Sequence, residues 1–567
     1  MQKQYIFNRR TLLGAAAAMT TVGLLAACGG SKKEDKVKAP GKDAKSEELY
    51  NINSHPVSDL KQGGEVRIPL GSLGPDFNTY STSGESYETQ IAMSSIRAAG
   101  LWNITHLGKY ELNKDFALSF KPAEEGGKDV VYIELNPKAK FNDGTPIDYK
   151  ALQSTWKIRK SSDGDYNIVS SGIYEYIESV ENNGDNFKVK VTMAKPYYPL
   201  NEMFDAIFHP GMEDPKVFND GFVNNPHPEF GCGPFKLADK GWNSTENTFT
   251  MVPNEKWWGE KPLLDRIIFR ALEAGASRAA FKNGEIDAVV ASTPTAYAEL
   301  KDTNGAQIRR GQRLFSGGLN LNPNHIKDAK VRKAIFIGTD RQALANVNFQ
   351  GLPYEEDVPG SMVLMPFSPL YEDNFPKPEG GDRKAAAQKI LEEAGYAKGS
   401  DGFYEKDGKK LEYRVTVFSD DPTSKNVGQN FVEIMKNIGL HIELNPEAGL
   451  NFNKVISNKE YDITFSGYSV GAEPTTGTQQ FYYSKDNDGV GTPEIDKMIE
   501  KILVEPDPQK RAQKCNEVEK KHMSEVCTLG TVYNGPLYTM CKEKLANYGT
   551  FLYDESNIDW AKVGWLK

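Results

Sequence analysis

Residue patterns that build metal centres are missing from this sequence. It contains five cysteines and seven histidines among 567 residues, and they form no CxxC, HExxH or closely spaced Cys/His pair. A zinc site or a catalytic metal site needs such ligands at short, fixed spacings. We therefore expect no metal and no cofactor.

Signatures of catalysis are missing as well. The sequence has neither GxxxxGK[ST], whose backbone holds nucleotide phosphates, nor GxSxG, which presents a nucleophilic serine. A triad assembled from distant residues would leave no such motif. We predict that the protein is not an enzyme, and a secreted hydrolase stays as a less favoured alternative.

Positive charge is scarce. The chain has 68 Lys and Arg against 77 Asp and Glu, a net charge of −9 at pH 7. A nucleic-acid partner would require a basic surface. We therefore expect no nucleic-acid partner.

The longest apolar run lies near the start of the chain, from Leu12 to Ala27. It is too short to cross a membrane comfortably, and it follows a basic head that holds Lys3, Arg9 and Arg10. This organisation predicts a signal peptide over residues 1–27. The paired arginines leave the general and the twin-arginine export routes both open.

The end of that run predicts a lipid anchor. Leu25-Ala26-Ala27-Cys28, followed by two glycines, resembles the lipobox of bacterial lipoproteins, in which the cysteine is acylated and becomes the mature N-terminus. More than one acyl chain gives stable anchoring. We expect Cys28 to hold the protein at the outer face of the cytoplasmic membrane, or in the periplasm.

Residues 28–60 are predicted to be the lipidated N-terminus and a flexible tether. They are rich in Gly, Ser, Lys, Glu, Asp and Pro and have few apolar groups before Leu49 and Tyr50. Such a segment buries too little surface to offset its ordering entropy. Beyond it, the spacing of Cys232, Cys515, Cys527 and Cys541 leaves their pairing and redox state open.

Strand and helix patterns alternate in two parts of the chain. The first unit has a strand at 267–269, a helix at 276–282 and a strand at 286–290, and the second runs from Tyr413 through a helix ending at Gly439 to Leu444. This order predicts two βαβ units with parallel strands, in two separate sheets. Hairpin and turn patterns dominate residues 96–228. In the helical region between the units, we expect Arg332 and Arg341 to form surface or interlobe ion pairs.

A series of short stretches resembles one family in the family's order, from residue 62 to the C-terminus. They are Phe141-Asn-Asp-Gly-Thr-Pro146, Gly231-Cys-Gly-Pro-Phe235, Asn254-Glu-Lys-Trp-Trp-Gly259 with Asp265, Gly284-Glu-Ile-Asp-Ala288, Lys330-Val-Arg-Lys-Ala334 with Asp340-Arg341, Leu391-Glu-Glu-Ala-Gly-Tyr396 and Tyr461-Asp-Ile463. The chain is similar to the family 5 solute-binding proteins of bacterial ABC importers, which include oligopeptide- and dipeptide-binding proteins.

The resemblance implies an α/β protein with the periplasmic-binding-protein type II fold, two lobes and an extra inserted domain. Domain I would comprise residues 61–95, 231–315 and 525–567. Domain II would be the insertion at 96–230, and domain III would be 316–524.

The resemblance also implies a mechanism. A peptide enters the cleft between the lobes, the lobes close around it, and the closed protein, a monomer, docks on an ABC transporter permease. Separate subunits hydrolyse the ATP. This transport role has two alternatives: the same role for another solute, such as an oligosaccharide, a metal chelate or a modified amino acid, or a sensing lipoprotein.

Cleft residues follow from the same resemblance. The candidates are Gly71, Ser72, Leu73, Cys232, Gly233, Trp242, Asn320, Asn322, Tyr468, Ser469, Val470 and Glu473. Some of them have a structural alternative: a surface turn at 71–73, packing beneath that loop for Trp242, and a turn before Pro323 for the two asparagines. Cys232 stands where the family commonly has Thr.

Val470 is the most informative departure from the family pattern. Peptide-binding members have an acidic residue before proline, as in Glu473-Pro474, and an aspartate three residues earlier that pairs with the peptide α-ammonium. Here that position is Val470. Because a buried ammonium needs a compensating charge, either another carboxylate such as Glu473 takes over or the solute has no free amine there.

Overall fold

The computed structural model describes residues 37–38, 41–97, 100–160, 164–169, 171–355, 357–418, 422–448, 451–485, 491–553 and 558–567. The predicted signal peptide and Cys28 lie outside these residues. Within the described ranges, no helix is both long and apolar enough to span a membrane.

Two sheets form the part that we call domain I. Sheet A has four strands in the order Phe235–Asn243, Thr248–Pro253, Arg266–Ala271 and Glu65–Leu70, and sheet B has three in the order Ala288–Val290, Pro536–Lys542 and Ala306–Gln312. Helices Tyr87–Arg97, Ala274–Lys282 and Pro294–Leu300 accompany them. The inward-facing Val66, Ile68 and Leu70 alternate along one strand and are buried, as the period of two requires.

An antiparallel sheet forms domain II. Sheet C has the strand order Ala117–Glu125, Lys128–Leu135, Lys188–Met193 and Ile177–Asp185. Helix Tyr149–Arg159 begins where the sequence places its cap, since the Asp148 side chain accepts a hydrogen bond from the Lys150 N–H. A two-stranded hairpin, Trp102–Ile104 and Tyr110–Leu112, projects beside this sheet.

A five-stranded sheet forms the core of domain III. Sheet D has the order His441–Glu447, Glu412–Phe418, Ile463–Ser469, Phe315–Leu321 and Leu529–Tyr533. Its helices are Ala329–Gly338, Arg341–Asn348, Arg383–Glu393, Pro422–Ile438, Phe452–Ser457, Pro474–Tyr482, Pro493–Leu503 and Pro508–Lys521. Strands Glu412–Phe418 and His441–Glu447 pair in parallel on either side of helix Pro422–Ile438 in the chain, so the second predicted βαβ unit is confirmed.

The chain passes between domains I and III at two neighbouring places. One strand of sheet B ends at Gln312 and the first strand of sheet D begins at Phe315; on the return, a strand of sheet D ends at Tyr533 and one of sheet B begins at Pro536. Residues 313–314 and 534–535 therefore connect domains I and III, and we call them the hinge. We refer to domains I and II together as one lobe and to domain III as the other.

Three of the stretches that resemble the family, at 141–146, 231–235 and 254–259, meet where domain II joins domain I. The Asn254 side-chain amide donates to Asn142 Oδ1 and to the Gly233 carbonyl, each over 2.8 Å. The Asn142 N–H in turn donates to the Gly231 carbonyl over 2.8 Å. These residues fix the junction between the two domains.

The first predicted βαβ unit is wrong in its sheet pairing. Its strands exist, but Arg266–Ala271 belongs to sheet A and Ala288–Val290 pairs antiparallel with Pro536–Lys542 in sheet B. Asp287 stands between the sheets and accepts from the N–H and the guanidinium of Arg67. Pairing with the distant C-terminal strand determines which sheet Ala288–Val290 joins. The local periodicity of the sequence contains no information about such pairing.

The predicted boundaries also differ from the packing. Leu352 and Tyr354, inside the range predicted for domain III, are buried with Phe281 and Tyr297 in the core beside sheet B. Phe208 and Phe218, inside the range predicted for domain II, belong to the core of domain I.

The folded part begins earlier than the sequence predicts. Residues 46–49 form a short helix, and the Asn51 N–H and carbonyl bond to Thr550. Leu60–Lys61 pairs with the C-terminal strand Gly564–Leu566. Packing against the C-terminal segment orders these residues despite their polar composition.

One further expectation is wrong, and the structure adds an observation on the cysteines, whose pairing the sequence left open. Arg332 and Arg341 are only 6% and 5% exposed, and they donate to backbone carbonyls, including those of Val526 and Pro359, where surface or interlobe ion pairs were expected. None of the four cysteines that the structure describes forms a disulfide.

Candidate functional site

Hydrogen bonds join the two lobes across the space between domains II and III. The Tyr198 N–H donates to the Leu503 carbonyl over 2.7 Å, and the Thr476 hydroxyl donates to Glu202 Oε1 over 2.5 Å. The lobes therefore touch each other, which we call the closed arrangement, and we call the space between domains II and III the cleft.

Glu202 is a cleft carboxyl that the sequence analysis did not select. It accepts hydrogen bonds from the Tyr197 hydroxyl, over 3.0 Å, and from the Thr476 hydroxyl of the opposite lobe. Burial raises the pKa of Glu202 to about 7, and the neighbouring carboxylates of Glu473 and Asp205 act in the same direction. No motif surrounds this residue, so only the fold reveals it.

The two carboxylates near Glu202 have cationic partners. Asp205 lies 2.6 Å from the Arg159 guanidinium, and Glu473 lies 3.3 Å from the Arg511 guanidinium. Glu202 is held by hydroxyl groups instead. It is therefore the least compensated of the three negative charges.

Glu473 is the N-cap residue of a helix and also lies near Glu202. It caps helix Pro474–Tyr482, because its Oε1 accepts from the Thr475 N–H over 3.3 Å and from the Thr475 hydroxyl over 2.7 Å. Its other oxygen faces Arg511, whose side chain is 6% exposed. These bonds occupy the carboxylate that was the sequence-based candidate for binding an amine.

Asn320 and Tyr468 come together on neighbouring strands of sheet D. The Tyr468 hydroxyl donates to Asn320 Oδ1 over 2.7 Å, and the Asn320 amide donates to the Ser466 hydroxyl. Ser469, one position beyond Tyr468, is exposed. Both partners of this pair were predicted as cleft residues, but the hydrogen bond between them was not predicted.

The strand that carries these residues has an open edge. The Val470 N–H donates to the Leu314 carbonyl over 3.0 Å, so in an antiparallel ladder Ser469 and Gly467 direct their backbone groups away from strand Phe315–Leu321. On that other side, pairing with strand Glu412–Phe418 reaches only Ile463 and Thr464. In the part of the chain that the structure describes, no strand covers the edge beyond Thr464.

The side chain of Val470 lies in an apolar cluster. It is 5% exposed and packs with Leu49, Met365, Phe367 and Leu552. A charged ligand group would meet hydrocarbon at this position.

Asn322 holds a turn. Its side-chain amide donates to the carbonyls of Lys459 and Tyr461 over 2.9 and 2.8 Å, and the residue is 1% exposed. These bonds fix the end of strand Phe315–Leu321 against the start of the neighbouring strand.

The loop that follows strand Glu65–Leu70 of sheet A is open to solvent. Gly71 and Ser72 are exposed and Leu73 packs partly against the core of domain I. A methyl group on Gly71 would lie 3.1 Å from Glu88 Oε1. The structure places this loop on domain I.

The remaining candidates are buried to different degrees. The Cys232 and Gly233 N–H groups donate to the Ile96 carbonyl over 2.9 and 2.7 Å, and Cys232 is 0% exposed. The Trp242 ring meets Phe77 edge-on, with ring centres 5.0 Å apart. The contacts described for Cys232, Gly233 and Trp242 do not include Asn320 or Tyr468.

Within the described ranges, no group of three or more His, Cys, Asp or Glu side chains is arranged to hold an ion. What the cleft offers chemically is hydroxyl groups, an amide, a carboxyl with a pKa near neutrality and an open strand edge. Each of these groups can form hydrogen bonds with a ligand.

Comparison with known proteins decides the family. The model described as bacterial extracellular solute-binding proteins, family 5 Middle, matches residues 114–489. The chain belongs to this family. It is 28% identical over 529 residues to the oligopeptide-binding protein OppA of Mycobacterium tuberculosis strain H37Rv, covering 91% of this chain and 87% of OppA.

Solved structures confirm the predicted type II periplasmic-binding-protein fold. The periplasmic EDTA-binding protein EppA superimposes with a TM-score of 0.81 at 20% identity, over 91% of this chain and 98% of EppA. AppA of Bacillus subtilis, solved with a nonapeptide, gives a TM-score of 0.71 at 19% identity, over 90% of this chain and 100% of AppA. At these identities the likeness concerns the fold.

Proposed function

We propose that this member of the family captures peptides in the cleft between its lobes and delivers them to an ABC transporter permease, anchored to the membrane through lipidated Cys28. The observation that carries the peptide assignment is the open edge at Gly467 and Ser469. An extended peptide adds to such an edge as a further strand, through backbone hydrogen bonds that do not depend on its sequence. The similarity to OppA, named an oligopeptide-binding protein, supports the same ligand class.

A second candidate keeps the transport role and changes the solute. EppA, which has the same fold, is named an EDTA-binding protein, and Val470 presents hydrocarbon where a free amine would need a carboxylate. A metal chelate, an oligosaccharide or a modified amino acid would not need to bind along the open strand edge. The two candidates therefore differ in whether the strand edge binds the ligand.

The ligand class is tested by mass spectrometry of small molecules released when the natively purified protein is denatured. We expect a set of short peptides. A single chelate, sugar or blocked compound would overturn the peptide assignment while leaving the transport role. Cleavage of added peptides would instead restore the hydrolase alternative.

The strand edge yields a mutational prediction. Ser469→Pro removes one N–H that faces the open side, and proline is tolerated at strand edges for that reason. We expect affinity for the recovered peptides, measured by calorimetry, to fall about tenfold, the value of one hydrogen bond. Ser469→Ala is the matched control, because it keeps the N–H and should bind peptides normally. Equal affinity of the two variants would contradict binding at this edge.

The anchor is tested in the producing cell. Cys28→Ser removes the thiol that would be acylated, and we expect the protein to move from the membrane fraction to the soluble fraction. Immunoblots of the two fractions measure this change. A variant that stays with the membrane would contradict lipidation at Cys28.

A further inference from the structure

Residues that the sequence assigns to the tether instead lie at the hinge. We call residues 44–50 the N-terminal clasp; they include the short helix Ser46–Leu49. A methyl group on Gly311 would lie 2.7 Å from the Leu49 carbonyl oxygen and 2.9 Å from the Tyr50 Cα. Gly311 lies two residues before the hinge, so the clasp backbone rests on the last strand of domain I before the crossing.

The backbone attaches the clasp to domain I. Directly after it, the Asn51 N–H donates to the Thr550 carbonyl over 2.9 Å and the Thr550 N–H donates to the Asn51 carbonyl over 2.8 Å. Such a reciprocal pair fixes position and direction. The clasp therefore moves with domain I.

The side chains of the clasp reach the opposite lobe. Leu49, 7% exposed, belongs to an apolar cluster that contains Met365, Phe367 and Val470 of domain III as well as Leu552 of domain I. Leu314 of the hinge packs against the same cluster. The cluster thus extends from a segment attached to domain I into domain III, directly beside the hinge.

The clasp also touches domain II. The Tyr50 ring stacks on the His106 ring, with centres 4.5 Å apart and planes at 24°. His106 lies in the hairpin whose Gly108 sits so close that a methyl group there would be 3.0 Å from the Ala472 Cβ of domain III. All three domains therefore meet around this short segment in the closed arrangement.

We propose that the N-terminal clasp stabilises the closed arrangement of the lobes and so couples lobe closure to the segment that carries the membrane tether. Rotation about residues 313–314 and 534–535 would move Met365, Phe367 and Val470 relative to Leu49, which stays with domain I. Opening would then expose the apolar surface that Leu49 covers. The proposal rests on the lobe closure of the proposed function but not on the identity of the solute.

The test measures the open fraction of the ligand-free mature chain by single-molecule energy transfer. Dyes are attached at Lys121→Cys on domain II and Lys409→Cys on domain III, both exposed positions, in a Cys28→Ser background. The four described native cysteines are buried and should not be labelled. We expect Leu49→Ala to raise the ratio of open to closed molecules about tenfold, as loss of one buried leucine contact implies.

Leu60→Ala is the matched control. Leu60, 4% exposed, is also a buried leucine of the N-terminal segment, but it packs with Leu263 and Ala546 of domain I alone. It should lower the thermal midpoint without changing the ratio of open to closed molecules. An unchanged ratio in Leu49→Ala, or an equal rise in Leu60→Ala, would overturn the clasp.

A second variant keeps the test valid if Leu49→Ala folds poorly. Phe367→Ala alters the domain III side of the cluster, and the double variant with Leu49→Ala should raise the ratio by less than the product of the two single effects, because both remove the same contact. Independent, multiplying effects would also overturn the proposal. The readout needs no ligand, so a wrong peptide assignment leaves it interpretable.

Discussion

Glu519→Ala should cost about 3–5 kcal/mol of unfolding free energy, the largest loss that we expect from any single substitution in this chain. Glu519 is 0% exposed. Its Oε1 accepts from the Met362 N–H over 2.6 Å and from the Tyr482 hydroxyl over 2.9 Å, and its Oε2 accepts from the Asn374 amide over 2.7 Å. Removing it leaves three buried donors without an acceptor, together with a cavity.

The network around Glu519 explains why alanine is so costly. The carboxyl connects helix Pro508–Lys521 to helix Pro474–Tyr482 and to the segment around Met362 and Asn374. Burial raises the pKa of Glu519, against the effect of these donors. A neutral acceptor should therefore serve part of the role.

The free energy of unfolding of Glu519→Ala is measured by calorimetry at neutral pH and compared with that of two further variants. Glu519→Gln keeps one acceptor oxygen but turns an amide N–H₂ towards a donor, and we expect it to cost about 1–3 kcal/mol. Glu517→Ala, an exposed position on the same helix, should change stability by less than about 0.5 kcal/mol. Similar losses in Glu519→Ala and Glu517→Ala would show that the buried network contributes little.

The fold was predictable where local patterns and long-range pairing agree. Strand Glu412–Phe418, helix Pro422–Ile438 and strand His441–Glu447 follow directly from periodicity, since Val427, Phe431 and Met435 share one buried face. The strands at 266–271 and 288–290 were predicted as elements, but their separation into two sheets depends on Pro536–Lys542, a segment distant in the chain. Local propensity contains no such information.

The candidate site was predictable in position and less so in its bonds. Asn320 and Tyr468 were selected by resemblance, and the fold adds the hydrogen bond between them. Glu202 lies in no motif, and its significance arises from burial beside Thr476 of the other lobe. The N-terminal clasp was missed because its composition is that of a solvated spacer, while two residues, Leu49 and Tyr50, make its apolar and aromatic contacts.

Two contacts described above join groups of both lobes and so depend on the closed arrangement: the apolar cluster around Leu49 and the Glu202–Thr476 hydrogen bond. Of the charged groups that face Glu202, Glu473 is paired with Arg511 and Asp205 with Arg159. Closure thus partly buries one carboxyl that has no cationic partner among its described contacts.

Closure should become less favourable as pH rises from about 5 to 7, because of Glu202. Opening exposes this carboxyl and returns its pKa towards the ordinary value, whereas burial in the closed form raises the pKa to about 7. An acid with a raised pKa favours the buried state fully below its ordinary pKa, and this advantage is lost as pH rises through the raised value. Above about pH 8 both forms are ionised and the dependence should end.

Glu202→Gln removes this dependence, because the amide does not titrate. We expect the ratio of closed to open wild-type molecules, followed by the same energy-transfer pair without ligand, to fall at least tenfold between pH 5 and pH 8, against a flat profile for Glu202→Gln. The Tyr110 and Tyr197 hydroxyls near this carboxyl have pKa values raised by burial and do not titrate in this range. Glu443→Gln, an exposed acid of domain III, is the control and should retain the wild-type slope. A slope that persists in Glu202→Gln would assign the pH dependence to another group and leave Glu202 with only a packing role.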